Sequence, residues 1–177
     1  MYEILVFGCD EADAAQTSSI LAESAFFEGK EVYSYWENTG KISETCVMLD
    51  NKPVSKVYSG QADCIFLMNE KFLKSESIMS RVKKSGMVIV NTKKDSKELS
   101  GTIKLKNKLR SVNVNEILSS DEEAFPKGLV LPVLATLVQN TNQFSPKSII
   151  KSIEKIDDQV DKDKVKKQFK SCIDVLK

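Results

Sequence analysis

The stretch Glu3-Ile4-Leu5-Val6-Phe7-Gly8-Cys9-Asp10-Glu11-Ala12-Asp13 decides the fold, because it reads as a strand, a turn and the start of a helix. The continuous apolar run 4–7 is typical of a parallel strand that helices cover on both faces. Gly8 suits the sharp turn that follows, since glycine adopts a positive φ at little cost. Small and apolar residues then recur at helical spacing until Gly29, which predicts the helix end. With a second strand at 32–33, these elements form a βαβ unit.

The turn after the first strand carries carboxylates where a phosphate-binding turn carries glycines. Glycines in such turns let backbone N–H groups close on the anion at the helix N-terminus. Here the turn reads Cys9-Asp10-Glu11-Ala12-Asp13, and its carboxylates favour the positive end of the helix dipole but repel a phosphate. We therefore interpret Asp10 and Asp13 as a capping pair for the helix. A cation site on these carboxylates and a reactive Cys9 are the lesser alternatives.

The composition is that of a globular chain with one domain. Its 177 residues, 41% of them hydrophobic, are enough to bury a sizeable core. Lysine and arginine total 26 against 25 acidic residues, and the net charge of +1 argues against a dedicated nucleic-acid or membrane-surface protein. No apolar run approaches the length of a membrane span, and no basic segment precedes an apolar one at the N-terminus. We therefore expect a cytoplasmic protein.

Histidine is absent, and the cysteines are scattered. The missing histidine excludes Ser-His-Asp and Cys-His nucleophile systems and every zinc site that contains histidine. There is no C-x-x-C pair among the four cysteines, which are Cys9, Cys46, Cys64 and Cys172. We expect free thiols, several of them in the core, and no bound metal.

The rest of the chain alternates strands with helices, which predicts a three-layer α/β/α Rossmann-like domain with a mostly parallel, mixed sheet. A hairpin is predicted from 46–49 and 54–58, and its Pro53 favours a position at the sheet edge. Residues 62–68 and 87–91 are predicted as buried strands, and a helix is predicted between them from Asn69 to a basic last turn at 83–86. The Lys-rich segment 92–111 is interpreted as a solvated loop, with a docking patch for an acidic partner as the alternative.

Three helices are predicted in the C-terminal part of the chain. The segment from Gly128 to Gln139 is so apolar that we expect it to be buried in its own domain or covered by a neighbouring subunit. Ser145, followed by Pro146, predicts the start of the next helix, and Asp161 caps the last one.

A short strand is predicted at 112–114. We interpret residues 1–177 as a single domain, with about 157–177 as a C-terminal helical extension.

The order of these pieces resembles the gamma subunit, or domain III, of the 2-oxoacid:ferredoxin oxidoreductases, which oxidise pyruvate, 2-oxoglutarate or branched-chain 2-oxoacids to acyl-CoA. Family members begin with a strand, G-x-G-G-Q-G and a helix that ends in I-L-A-E-A-A and a glycine. This chain has Gly8, then Ile20-Leu21-Ala22-Glu23-Ser24-Ala25 and Gly29. Ser34-Tyr35-Trp36-Glu37-Asn38 stands where the family has S-Y-G-P-E, and the likeness continues to about Ile156.

Two further segments carry the resemblance, and two loops depart from it. Residues 62–69 and 84–91 are similar to the family's A-D-…-M-N and P-G-G-…-V-N segments. The first loop has lost its glycines and glutamine, and the segment between Asn38 and Thr45 has lost the arginine and the glycine pair of E-x-R-G-G. In the family these loops line the interface with the thiamine-diphosphate-binding subunits, near the coenzyme A path. The resemblance thus implies family-equivalent cofactor-binding positions, mostly degenerate, at Gly8, Cys9, Asp10, Glu11, Ala12, Asp13, Tyr35, Trp36 and Asn69.

The resemblance implies a gamma-like subunit that supports oxidative decarboxylation of a 2-oxoacid to acyl-CoA, with ferredoxin as electron acceptor. Such a chain has no complete active site of its own. Thiamine diphosphate, iron–sulfur clusters and coenzyme A belong to the complex, and none is expected on this chain alone. Expected partners are other oxidoreductase subunits or a second copy, and neither nucleic acid nor a membrane. The alternatives are a repurposed, non-catalytic interaction module and a stand-alone nucleotide-binding enzyme, which the acidic turn disfavours.

Overall fold

A computed structural model of the chain describes residues 1–40, 42–54, 60–102, 107–118, 130–156 and 161–176. The strands are β1 Tyr2–Phe7, β2 Glu31–Asn38, β3 Ser43–Asp50, β4 Ala62–Leu67, β5 Val82–Asn91 and β6 Lys108–Val112. The helices are α1 Glu11–Phe27, α2 Glu76–Met79, α3 Ser96–Thr102, α4 Val114–Leu118, α5 Val130–Thr141, α6 Pro146–Ile156 and α7 Lys162–Val175, with a 3₁₀ helix at Glu70–Lys74.

The strands form one mixed sheet in the order β2-β3-β1-β4-β5-β6. β1, β4, β5 and β6 are parallel to one another, whereas β3 runs antiparallel to both of its neighbours. Ile4 of β1 lies between Val47 of β3 and Cys64 of β4. The predicted α/β class with a mostly parallel, mixed sheet is therefore confirmed.

The hairpin at the sheet edge is formed by β2 and β3, so the predicted pairing of 46–49 with 54–58 is corrected. In the β2–β3 pair, Glu31 lies opposite Asp50 at one end and Asn38 lies opposite Ser43 at the other. On its other side, β3 pairs with β1. The apolar run 46–49 is buried on both faces, which is the environment of a strand inside a sheet rather than at its edge. Residues 51–54 follow as turn and coil, and 55–59 lie outside the described part of the chain.

The predicted helix from Asn69 to the basic turn at 83–86 is wrong. The chain forms the 3₁₀ helix and the short α2, and the basic residues begin strand β5 at Val82. The Lys83 ammonium lies 2.7 Å from an Asp63 carboxylate oxygen and 3.3 Å from a carboxylate oxygen of the fully buried Glu3. Because these acids belong to β4 and β1, the ion pairs hold Lys83 along the sheet instead of on a helix.

The predicted loop 92–111 is also corrected, because it contains α3 and most of β6. Asp95 Oδ1 accepts hydrogen bonds from the N–H groups of Lys97 and Glu98, both at 2.8 Å, and Glu98 Oε2 accepts one from the Asp95 N–H at 3.1 Å. This reciprocal capping box starts the helix. The strand predicted at 112–114 ends at Val112, and residues 103–106 lie outside the described ranges.

Helices cover both faces of the sheet. α1, α5, α6 and α7 pack on the face that carries Ile4 and Val6, and the 3₁₀ helix, α2 and α3 pack on the face that carries Leu5 and Phe7. The alternation of β1 side chains between two apolar layers explains why its sequence is apolar throughout.

The apolar helix α5 is buried within its own domain, which decides between the two predicted alternatives. All of its residues from Val130 to Val138 are buried, and it packs against α1, α6 and α7. Helix α7 contributes the buried side chains Val165, Phe169, Cys172 and Ile173 to this core.

Two further expectations concern the cysteines and the membrane. All four cysteines are free and buried, as predicted. Among the described helices, none has the length and apolar character that a bilayer span requires.

Candidate functional site

The first turn begins at Gly8, which adopts a φ of +88° directly after β1. Its N–H donates to the carbonyl oxygen of Ser43 at 2.9 Å, which ties the turn to the start of β3. The ring of Phe72 leaves no room for a side chain at this position, since a Cβ atom on Gly8 would lie 2.5 Å from Phe72 Cε2. Both the backbone conformation and the packing therefore require glycine here.

Asp10 caps α1, as predicted. Its Oδ1 accepts a hydrogen bond from the Asp13 N–H at 2.8 Å, and its backbone is extended, as in other N-cap residues. The Asp13 side chain is buried in the first helical turn, whereas Asp10 and Glu11 are exposed. The capping role thus belongs to the Asp10 side chain, and Asp13 supplies the N–H that is capped.

A cleft of about 370 Å³ opens beside this turn, at the carboxyl ends of β1 and β2 and the start of β3. Open α/β sheets bind ligands outside the carboxyl ends of their parallel strands, so the location is suited to a functional site. The lining residues are Gly8, Cys9, Asp10, Glu11, Asn38, Gly40, Ile42, Ser43, Lys71 and Phe72. The two loops that depart from the family pattern therefore meet in one cleft.

The charges of the cleft are unevenly distributed. Asp10 and Glu11 lie at the start of α1, and Asn38 Nδ2 donates to Glu11 Oε2 at 3.5 Å, so the two loops touch. Among the described lining residues, Lys71 carries the only positive charge, and its ammonium lies 5.1 Å from the centre of the Phe72 ring. The carboxylate wall would repel a phosphate approaching the helix start.

The sequence did not single out Lys71 and Phe72 as site residues. Asn69 caps their 3₁₀ helix by accepting the Lys71 N–H at 2.9 Å. The available signal was a polar residue directly after the buried strand β4, a position that commonly starts a helical turn. That signal predicts the turn, but it does not show that Lys71 faces the first loop.

Cys9 is not an activated nucleophile. Its side chain is buried, and burial, together with the carboxylates of Asp13 and Asp10, raises the pKa of the Cys9 thiol to about 12. The thiol is therefore protonated at neutral pH, and only the thiolate is a good nucleophile. Within the described ranges, no cluster of three or more His, Cys, Asp or Glu side chains is arranged to hold a metal ion.

Tyr35 and Trp36 do not line the cleft. They are consecutive residues of β2 and therefore point to opposite faces of the sheet. Tyr35 lies opposite Cys46, where burial raises the pKa of its phenol, and Trp36 lies opposite Thr45 with 38% of its surface exposed. Asn69 is close to the cleft through its bond to Lys71, whereas Ala12 and Asp13, in the first turn of α1, are not among the residues that line the cleft.

A buried ion pair supports the wall that β3 contributes. Glu44 is 6% exposed, and its carboxylate binds both terminal nitrogens of Arg81, with Arg81 Nη1 at 2.6 Å from Glu44 Oε2. The guanidinium also lies 5.1 Å from the centre of the Phe7 ring. This bidentate pair ties the start of β3 to the residue that precedes β5. Removing either partner would leave the other charge largely buried without its counterion.

Comparison with known proteins gives a family match. Residues 14–165 match the family model described as pyruvate ferredoxin/flavodoxin oxidoreductase. The chain is 31% identical over 113 residues to the common subunit gamma of the pyruvate/ketoisovalerate oxidoreductases of Pyrococcus furiosus. That match covers 61% of the chain and 61% of the relative, so the chain spans about three fifths of the curated relative's length.

Solved structures share the fold. A pyruvate oxidoreductase subunit of Thermotoga maritima superposes with a TM-score of 0.75 at 24% identity, over 97% of this chain and 92% of that one. A second similar structure is the 2-oxoglutarate:ferredoxin oxidoreductase of Magnetococcus marinus, with 2-oxoglutarate, coenzyme A and succinyl-CoA bound. It superposes with a TM-score of 0.75 at 11% identity, over 98% of this chain and 30% of the longer one. At these identities the likeness shows the fold.

Proposed function

The chain belongs to the pyruvate ferredoxin/flavodoxin oxidoreductase family, and on that basis we propose that it serves as a gamma-like subunit of a 2-oxoacid:ferredoxin oxidoreductase. The observation that carries the proposal is the family match over residues 14–165, which runs from the first turns of α1 into α7. In this role the subunit supports oxidative decarboxylation of a 2-oxoacid to acyl-CoA, with ferredoxin as electron acceptor.

The subunit has, in this proposal, no complete active site of its own. Support comes from the carboxylates of Asp10 and Glu11 in the cleft, which oppose a phosphate at the start of α1. Thiamine diphosphate, iron–sulfur clusters and coenzyme A are then held by the assembled complex rather than by this chain alone. The bound coenzyme A of the Magnetococcus marinus relative supports a place for that cofactor in the complex.

The proposed contact region with the other subunits comprises the cleft and the end of β2. Its positions are the family-equivalent ones, Gly8, Cys9, Asp10, Glu11, Ala12, Asp13, Tyr35, Trp36 and Asn69. Trp36 favours a contact here, because a half-exposed indole next to a polar loop is typical of interface residues. Since α5 is buried inside the domain, it offers no comparable surface. We place the complex in the cytoplasm.

We treat residues 1–177 as one gamma-like domain, and helix α7 supports this extent. Its buried residues pack against α5 and complete the core on one face of the sheet. A detached C-terminal extension would not contribute such contacts.

Purification of the tagged protein from its own cells under anaerobic conditions tests the function. Co-purifying subunits that contain thiamine diphosphate and iron–sulfur clusters, together with coenzyme-A-dependent oxidation of a 2-oxoacid, would support the proposal. Partners without these cofactors, recovered in stoichiometric amounts, would instead indicate a repurposed interaction module. Trp36→Ala should reduce the recovery of the cofactor-containing subunits, whereas Glu31→Ala, at an exposed position at the far end of β2, is the control and should leave the recovery unchanged.

A further inference from the structure

A second cavity lies at the other end of the sheet from the first-turn cleft, beside the edge strand β6. It has a volume of about 320 Å³ and lies between β5, β6 and the carboxyl-terminal ends of α5 and α7. Its apolar lining consists of Ile89, Val112 and Leu176. The proposed function does not use this cavity.

Arg110 gives the cavity a permanent positive charge. None of the described lining residues is acidic, and no ion pair of Arg110 is present within the described ranges. Arg81, by contrast, is paired with the buried Glu44. Arg110 is an exposed residue of β6, and its guanidinium presents donors in a planar fork that matches the two oxygens of a carboxylate arriving from solution.

Neutral polar groups complete the wall opposite the strand. The Thr136 hydroxyl donates to the carbonyl oxygen of Pro132 at 2.7 Å, and Asn140 Nδ2 donates to the carbonyl oxygen of Thr136 at 2.9 Å. These bonds orient both side chains. Asn140 Oδ1 and the amide of Gln139 make no hydrogen bond within the described ranges. Amides both donate and accept, so they can bind a hydroxyl or a carbonyl group.

The size of the cavity limits the ligand. A water molecule occupies about 30 Å³ of the liquid, so about 320 Å³ corresponds to roughly ten water molecules. We propose that this cavity binds a small organic carboxylate with a further hydroxyl or carbonyl group. The carboxylate pairs with Arg110, and the second polar group meets the amides of Gln139 and Asn140. The apolar residues of the lining contact the carbon skeleton.

Titration of the full chain with L-malate, followed by ¹⁵N–¹H NMR, tests the proposal. We expect saturable shifts of the backbone amides of Ser111, Val112, Gln139 and Asn140. Arg110→Gln should weaken malate binding by about tenfold or more, because it removes a charge-assisted pair. Lys108→Gln is the matched control: it removes a cation from the same strand and the same face outside the cavity, and it should change the affinity by less than about twofold.

Several results would overturn the proposal. Absence of saturable shifts would do so, and equal losses in Arg110→Gln and Lys108→Gln would show only diffuse attraction to a basic edge. Inorganic phosphate is titrated in a separate experiment, and tighter binding of phosphate than of malate would refute the assignment of the ligand as a carboxylate. Asn140→Asp places a negative charge in the cavity, so retained malate affinity in that variant would also refute it. The same spectra report whether each variant is folded, and none of these outcomes bears on subunit assembly at the other end of the sheet.

Discussion

The ring of Phe72 lies against Gly8 so closely that a Cβ atom on Gly8 would stand 2.5 Å from Phe72 Cε2. Gly8 follows β1 and Phe72 belongs to the 3₁₀ helix after β4, so two neighbouring parallel strands deliver their next elements into direct contact. Both residues also line the first-turn cleft. The shape of the cleft therefore depends on a contact between residues 64 positions apart in the sequence (72 minus 8).

Gly8→Ala should lower the free energy of unfolding by about 2–4 kcal/mol, which combines backbone strain with overpacking against Phe72. Gly40→Ala is the control, because Gly40 also has a positive φ, +76°, but among the described residues no atom beyond its chain neighbours lies within 4 Å of its Cβ position. Gly40→Ala should lower the free energy of unfolding only by the backbone strain of a positive φ, about 1–2 kcal/mol. Urea unfolding measures both variants, and equal losses would contradict the packing argument.

Asp10→Ala should lower the free energy of unfolding by about 1 kcal/mol, since the Asp13 N–H loses its acceptor. Glu11→Ala removes a neighbouring exposed carboxylate that does not cap the helix, and it should change stability by about 0.5 kcal/mol or less. Asp10→Ser should retain most of the wild-type stability, because serine also caps helices. A serine variant as unstable as the alanine variant would argue against the cap.

The isolated chain should bind coenzyme A and NAD weakly or not at all, because carboxylates stand where the phosphates would bind. Glycine at positions 10, 11 and 13 together should remove this repulsion and raise the affinity for coenzyme A, while it lowers stability through added chain entropy. Calorimetric titration and urea unfolding of this one variant measure both effects. Micromolar affinity in the wild type would contradict the repulsion. No gain in the variant would place the loss of binding in the loop between Asn38 and Thr45.

Lys83→Met should lower the free energy of unfolding by about 2–4 kcal/mol, because the buried Glu3 loses a cation 3.3 Å away. Partial burial lowers the pKa of Lys83, but Asp63 and Glu3 outweigh this effect and raise it above the ordinary 10.5. The stabilising charge is therefore fully present at neutral pH and is lost only as the pH rises above that value.

A double-mutant cycle isolates this pair. Glu3→Gln combined with Lys83→Met removes both charges and should be more stable than Lys83→Met alone. Additive losses in urea unfolding at pH 7 would show that the pair is not coupled.

The first turn and the helix starts follow from local sequence. The positive φ of Gly8 is a local property of the turn, and three N-cap residues, Asp10, Ser145 and Asp161, accept hydrogen bonds from backbone groups within three residues, so these roles were predicted and are confirmed. The position of Lys71 in the cleft was not predicted. Its place depends on how the segment after β4 packs against a turn about 60 residues earlier, and no local pattern reports that packing.

By itself, the sequence determined the α/β class, the buried strands, the acidic turn and most of the helix caps, because periodicity and capping involve neighbours along the chain. The tertiary structure alone decided three features: β3 lies inside the sheet, residues 82–86 extend β5, and the two altered loops meet in one cleft. Each depends on partners far apart in sequence, such as Lys83 with Glu3, or β3 with β1. The free energy that selects these pairings arises only once distant segments are brought together and buried.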